Sequence, residues 1–336
     1  MKLTYLFRKR GAGYSIEGLF SQLAGHLRAK TVHTITEAHA PRMELSLSCL
    51  YENLRFAARQ PASDLYHITG DVHYLMLALP SARTILTIHD CVSLNRQREA
   101  GNPIRFSVLW LLYYFLPMRR ARYITTVSEK SKQEILHYMG AALASKVTVI
   151  PNHYNPRFKA SPKLFNAQKP SILQIGTAAH KNLPRLIEAL TGLSCTLTIV
   201  GTLSPGQEEQ LRASGIEYTQ KDCLSEAEMA AEYLSCDVVA FTSTYEGFGM
   251  PIIEANAIGR PVLTSALSPL SEVAGQAACL VDPFSVDSIR QGLLRILTDG
   301  LYREQLLRAG YANASRYTID QVATQYSTLY NQILAT

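Results

Sequence analysis

The chain has 336 residues, of which 47% are hydrophobic, and a formal net charge of +6. That length suits two ordinary domains, and the composition excludes a disordered or fibrous chain. Six cysteines, at 49, 91, 195, 223, 236 and 279, form no CxxC pair or Cys/His cluster, which argues against a disulfide framework or a zinc site and predicts buried thiols in a reducing compartment.

The net charge conceals an asymmetry. Residues 1–160 hold 21 Lys/Arg and 10 Asp/Glu (+11), against 12 and 17 (−5) in residues 161–336. A cationic half is expected to face an anionic partner such as a membrane surface, a phosphorylated lipid or nucleic acid; charge scattered for solubility is the plainer alternative. Nucleic-acid-binding motifs are missing and the charge forms no single run, so no nucleic-acid partner is expected.

In chain order, MKLTYLFRKR puts a strand-like apolar run ahead of basic residues, the reverse of a signal peptide, so a cytoplasmic location is expected. Candidate strands then alternate with helical patterns at 3–7, 30–35, 64–69, 83–89, 123–128 and 146–150, and again at 171–176, 196–200, 237–243, 261–265 and 277–282. This alternation predicts an α/β protein with two parallel sheets. PNHYNPRFKASPKLFNAQKP (151–170) has neither period and reads as the linker. The tail after Asp282 has helical period only, and its last helix is expected to cross back onto the first domain. The expected division is 1–160, 161–315 and a returning helix at 316–336, with a ligand where the carboxyl ends of the strands meet.

Within the first half, GAGYSIEG (11–18) has glycines at which a loop before a helix can approach phosphates, although a simple tight turn fits equally well. His89, beside Asp90, ends the apolar strand RTILTIH and is either a core histidine or a cleft residue contacting a ligand; His73, in TGDVHYL, is a second such candidate. IRFSVLWLLYYFLPM (104–118) falls short of the roughly 18–20 uninterrupted apolar residues a bilayer requires. It reads as a core helix or as a helix with one face in a membrane interface.

The stretch TYEGFGMPIIEANAIGRP (244–261) sets Glu246 and Glu254 on either side of a glycine-rich turn that enters a helix. Gly247 and Gly249 allow close backbone approach and Pro251 suits a first helical turn, so the helix start can take an anion such as a diphosphate. Carboxylates accept from hydroxyls, and a diphosphate with polyols at both ends is a nucleotide sugar. Paired carboxylates also mark glycoside hydrolases, but a phosphate-ready helix start argues against that chemistry.

The block E-G-F-G-M-P-I-I-E, with FTSTYEGFGMPIIEANAIGRPVLTS, PLSEVAGQAACLVDP and ILQIGTAAHKN, resembles the E-x7-E region and the Gly-then-Lys turn of retaining family-4 glycosyltransferases. TIHDC, ITTVSEKSKQEI and VIPNHYNP are similar to weaker markers of the same family. The resemblance implies a GT-B fold, two Rossmann-like domains facing each other across a cleft, the first for the acceptor and the second for a UDP- or GDP-sugar. It implies that Glu254 binds the ribose hydroxyls and Glu246 the transferred sugar, with backbone amides of Gly247, Phe248, Gly249 and Met250 on sugar and diphosphate. Lys181, five residues after Gly176, would neutralise the leaving diphosphate; His180 stands where the family often has an arginine. Thr202 and Leu224 are expected near the base, Gly13 near the donor phosphates, and His89, with His73 second to it, against the donor sugar or the acceptor.

The resemblance further implies retention of configuration by front-side substitution. No Asp-x-Asp pair ends a strand, and Lys181 with the helix start can hold a diphosphate, so a reaction without metal or other cofactor is expected. The acceptor is expected to be a glycan or a polyprenyl- or lipid-linked hydroxyl at the inner membrane face, in bacterial cell-surface polysaccharide assembly. A nucleotide-sugar epimerase of the same fold and a non-catalytic nucleotide-sugar-binding protein are the alternatives.

Overall fold

The computed structural model describes residues 1–11, 14–31, 33–44 and 46–335. Contacts divide the chain into two compact units, Met1–Asn152 with Ile319–Thr336, and His153–Thr318.

The first unit is built on a parallel sheet of β1 (Lys2–Phe7), β2 (Thr34–His39), β3 (Leu65–Ile68), β4 (Thr84–Ile88), β5 (Tyr123–Thr126) and β6 (Val147–Val149), in the order β2-β1-β3-β4-β5-β6. β3 and β4 are buried throughout, as strands covered by helices on both faces must be. The chain runs outward from β1 to β2 and restarts on the other side of β1 with β3, which creates a switch point at the carboxyl ends of β1 and β3. The second strand lies at 34–39 rather than the expected 30–35. The helix Tyr14–Lys30 runs through Lys30, and Arg28 from its last turn donates to the Ile35 carbonyl through Nε at 3.0 Å and a terminal nitrogen at 2.8 Å.

The helix Ile319–Ala335 belongs to this unit. Its Tyr330 hydroxyl lies 3.0 Å from Tyr5 Oη and 2.8 Å from His67 Nδ1, and His67 Nε2 lies 2.6 Å from Thr87 Oγ1. Burial holds the His67 pKa down from 6.5 to about 3, so the ring is neutral within this network.

The apolar run 104–118 forms a helix Pro103–Leu109, a π turn Trp110–Phe115 and a helix Leu116–Arg120. It is one-sided: Tyr114 and Met118 are buried, while Ile104 and Val108 are exposed. Among the described residues no helix is long and apolar enough to cross a membrane.

The second unit carries β7 (Ser171–Ile175), β8 (Thr196–Val200), β9 (Glu217–Lys221), β10 (Val238–Phe241), β11 (Val262–Ser265) and β12 (Cys279–Val281), parallel and ordered β12-β11-β10-β7-β8-β9. β9 was not among the expected strands. It is a polar, largely solvent-facing edge strand, EYTQK, with no apolar run to reveal it. The switch point here lies between β7 and β10, which pair directly. Residues 151–170 have no regular structure; from His153 on they pack on this unit, with Ser161 N donating to Ile258 O at 3.0 Å and Lys163 Nζ 2.6 Å from Asp237 Oδ1. Among the cysteines, all free, only Cys223 is exposed.

Candidate functional site

The two turns flanking the second switch point are shaped by glycine and tied by side-chain amides. After β7, Gly176 takes φ 88°. A Cβ there would lie 2.9 Å from Lys181 Cγ and Cε, so glycine is what lets the lysine stem fold back over the turn. Gln174 Nε2 donates to the carbonyls of Gly176 and Lys181, both at 3.1 Å. Asn182, left-handed at φ 61°, donates through Nδ2 to Thr242 O at 3.0 Å and Pro283 O at 2.7 Å.

These constraints set the Lys181 ammonium 4.7 Å above the Phe241 ring and 2.6 Å from Glu246 Oε1. Glu246 sits in the turn that follows β10, where Thr244 N donates to His180 O at 2.8 Å and so fastens one turn to the other. Gly249 has φ 122°, and a Cβ on it would meet Leu270 Cδ2 at 2.8 Å. The helix Met250–Ile258 starts from this glycine with no side-chain cap and with Pro251 in its first turn. Its leading end therefore offers backbone donors and the positive end of the dipole. The Phe248 side chain is buried edge-on to Tyr317 at 5.7 Å, which leaves its backbone for any ligand.

Glu254, half-buried in this helix, accepts from Tyr233 Oη at 2.5 Å. Burial raises its pKa from 4.5 to about 7, with the Tyr233 hydrogen bond opposing the rise. Thr202 follows β8; its hydroxyl donates to Asp222, whose carboxyl is thereby held below the usual range. The Thr202 carbonyl accepts from Thr177 Oγ1 at 2.6 Å. Leu224, half-buried, follows β9. Leu224, Thr202, Gly176 with Lys181, and Glu246 to Met250 thus follow the carboxyl ends of β9, β8, β7 and β10, which is their order across the sheet.

Of the remaining sequence candidates, His89 lies in the first unit, buried, with Nε2 2.9 Å from Thr69 O and Ser131 Oγ donating to its carbonyl at 2.8 Å. That carbonyl partner requires the proton on Nε2. Gly13 lies outside the described residues. Sequence reasoning missed Gln174, Asn182 and Tyr233. Asn182, directly after Lys181 and directly before an apolar helix, carried a turn signal; the other two carried none. Among the described residues no group of three or more His, Cys, Asp or Glu is placed to hold a metal ion.

Comparison with known proteins gives two family matches, Glycosyl transferases group 1 over residues 157–313 and Glycosyltransferase Family 4 over residues 13–158. The chain is 29% identical over 232 residues to O-antigen chain mannosyltransferase B of Escherichia coli, covering 62% of this chain and 60% of that protein. The match thus spans less than two thirds of that relative's length. Sucrose-phosphate synthase from Thermosynechococcus elongatus superimposes with a TM-score of 0.78 at 19% identity over 100% of both chains. Anabaena Alr3699/HepE, solved in complex with UDP-glucose, gives 0.75 at 16% identity over 99% of this chain and 100% of that one. The fold is the expected GT-B fold, and the chain belongs to the glycosyltransferases whose two halves these family models describe.

Proposed function

We propose that this protein transfers a hexose, with mannose the first candidate, from a nucleotide-diphosphate sugar to a hydroxyl of a glycan or lipid-linked acceptor. The observation that carries this reading is the Lys181–Glu246 pair, 2.6 Å apart at the switch point of the second sheet beside an uncapped helix start. A lysine ammonium has three donors, so one spent on Glu246 leaves two for phosphate oxygens. The leaving diphosphate gains negative charge as the glycosidic bond breaks, so Lys181 and the helix start stabilise the transition state more than the bound donor. Glu246 accepts hydroxyls of the transferred sugar, and Glu254, anchored by Tyr233, accepts those of the ribose. Likeness to a mannosyltransferase and to a UDP-glucose complex supports the donor class.

Retention of anomeric configuration is part of the proposal, supported by the E-x7-E spacing, as is independence from a metal, since Lys181 and the helix start supply the positive charge locally. Surface-polysaccharide assembly on the cytoplasmic side of a membrane, with the basic residues of the first half drawn to anionic lipid, completes the reading. The test is nucleoside diphosphate release from UDP- and GDP-hexoses with mannosyl acceptors, with and without chelator, and the product anomer read by NMR. Donor isomerisation without acceptor, or donor binding without release, would contradict it.

A further inference from the structure

The first unit holds a histidine whose hydrogen-bonding capacity is set by a backbone carbonyl of a π turn. In an uninterrupted helix the Tyr113 carbonyl would accept from the N–H of residue 117, which is Pro117 and has none. The chain passes through the π turn Trp110–Phe115, closed by Leu116 N to Leu111 O. The Tyr113 carbonyl is met by His73 Nδ1 at 3.0 Å. A carbonyl only accepts, so Nδ1 carries the proton. His73 is 2% exposed and burial lowers its pKa from 6.5 to about 4, which keeps the ring neutral and makes Nε2 a lone-pair acceptor. Among the described residues Nε2 is buried without a hydrogen-bond partner, a cost that a native structure accepts where a ligand supplies the missing donor.

His73 lines a cavity of about 300 Å³ beside the carboxyl ends of β1, β3 and β4, together with Tyr74, Tyr113, Tyr114, Asp71 and Asp90. The volume is at the small end of ligand pockets. Arg8 and Arg42 also reach it, but both are already paired. Arg8 meets Glu17 at 3.2 Å and Asp71 at 3.1 Å, and Arg42 grips Glu52 through two bonds of 2.8 and 3.1 Å. A phosphate would have to break these pairs in a lining that also holds Asp90. The chemistry that fits is a neutral polyhydroxylated ring, with hydroxyls donating to Nε2 and carboxylate and its C–H face against tyrosine rings.

We infer that this cavity binds an uncharged sugar unit and that His73 Nε2 accepts from one of its hydroxyls. The inference rests on the transferase reading only in naming that unit as the end of the acceptor glycan. The test is NMR titration of the full chain with methyl α-D-mannopyranoside and with mannose 6-phosphate, in wild type, His73→Asn and His73→Gln. Asparagine keeps a donor for the Tyr113 carbonyl and removes the Nε2 acceptor; glutamine restores a polar atom near that position.

The glycoside is expected to bind wild type more tightly than the phosphate does, to weaken about fivefold in His73→Asn, the loss of roughly one hydrogen bond, and to recover in His73→Gln. The wild-type imidazole ¹⁵N spectrum, which needs no variant to fold, should show an unprotonated Nε2 that shifts on glycoside addition. Equal glycoside affinity in wild type and His73→Asn, tighter binding of mannose 6-phosphate, or a protonated Nε2 would overturn the inference. Nucleotide-sugar binding, followed in parallel, separates the two readings: its absence alongside His73-dependent glycoside binding contradicts the transferase reading and upholds the cavity assignment.

Discussion

Lys181 and Glu246 are 65 residues apart in sequence and 2.6 Å apart in the second unit. Both are largely shielded, with 20% and 15% of their side-chain surface exposed. The turns that carry them are joined by the Thr244–His180 backbone bond. A cation and an acceptor are therefore held in place ahead of the ligand, as electrostatic stabilisation of a leaving group requires.

Lys181→Ala is expected to lower kcat by about 100-fold, in the range for loss of one preorganised donor to a developing oxyanion. Donor affinity should fall only a few-fold. Steady-state kinetics with direct donor titration check this; equal losses in both would make Lys181 a ground-state anchor.

Gly176→Ala brings a Cβ within 2.9 Å of the lysine stem at a backbone φ of 88°. The flexible stem yields rather than the backbone, so activity should fall more steeply than stability, with the latter reduced by about 1–2 kcal/mol. Chemical denaturation beside turnover measurement separates the two effects.

Glu254 is expected to make donor affinity pH-dependent. Its pKa of about 7 means the carboxylate proposed to accept ribose hydroxyls is fully formed only above that value. Affinity for a nucleotide sugar should rise with pH and level off above about 7. Stability of the protein alone has the opposite sign: a carboxyl raised from 4.5 favours the fold most below 4.5, and that contribution is lost as pH rises through about 7. Glu254→Gln should flatten both profiles, read by titration calorimetry and by denaturation across pH 5–8.

Tyr330→Phe strips a partner from buried Tyr5 and His67 and should lower the unfolding free energy by about 1–3 kcal/mol. Because His67 is held neutral down to about pH 3, the unfolded chain takes up a proton below 6.5 that the native ring refuses. Its contribution to stability is therefore present above pH 6.5 and lost as pH falls toward 3. Urea titrations at pH 7.5 and pH 5 test both points.

The fold was legible where strands are short apolar runs, as at SILQIG and DVVAFTS, because strands buried between helices have little choice of composition. It was illegible at EYTQK, since a polar edge strand looks like a loop, and was misplaced at 30–35, where the helix ending at Lys30 extended into the expected strand. In the candidate site, the glycines and Lys181 stood out through local turn chemistry. Tyr233, on a helix 21 residues away from Glu254, did not, because tertiary packing alone brings the two together. Pro117 was visible, but nothing local links it through the Tyr113 carbonyl to His73, 40 residues from that tyrosine.

The most direct test of the central claim is a thermal-shift panel of nucleoside diphosphates and their hexoses, with and without chelator, on wild type and Glu254→Ala. One nucleotide and its sugar should stabilise wild type, equally with chelator, and leave Glu254→Ala unshifted. Stabilisation of both proteins alike, or of neither by any nucleotide, would contradict the assignment of the donor site.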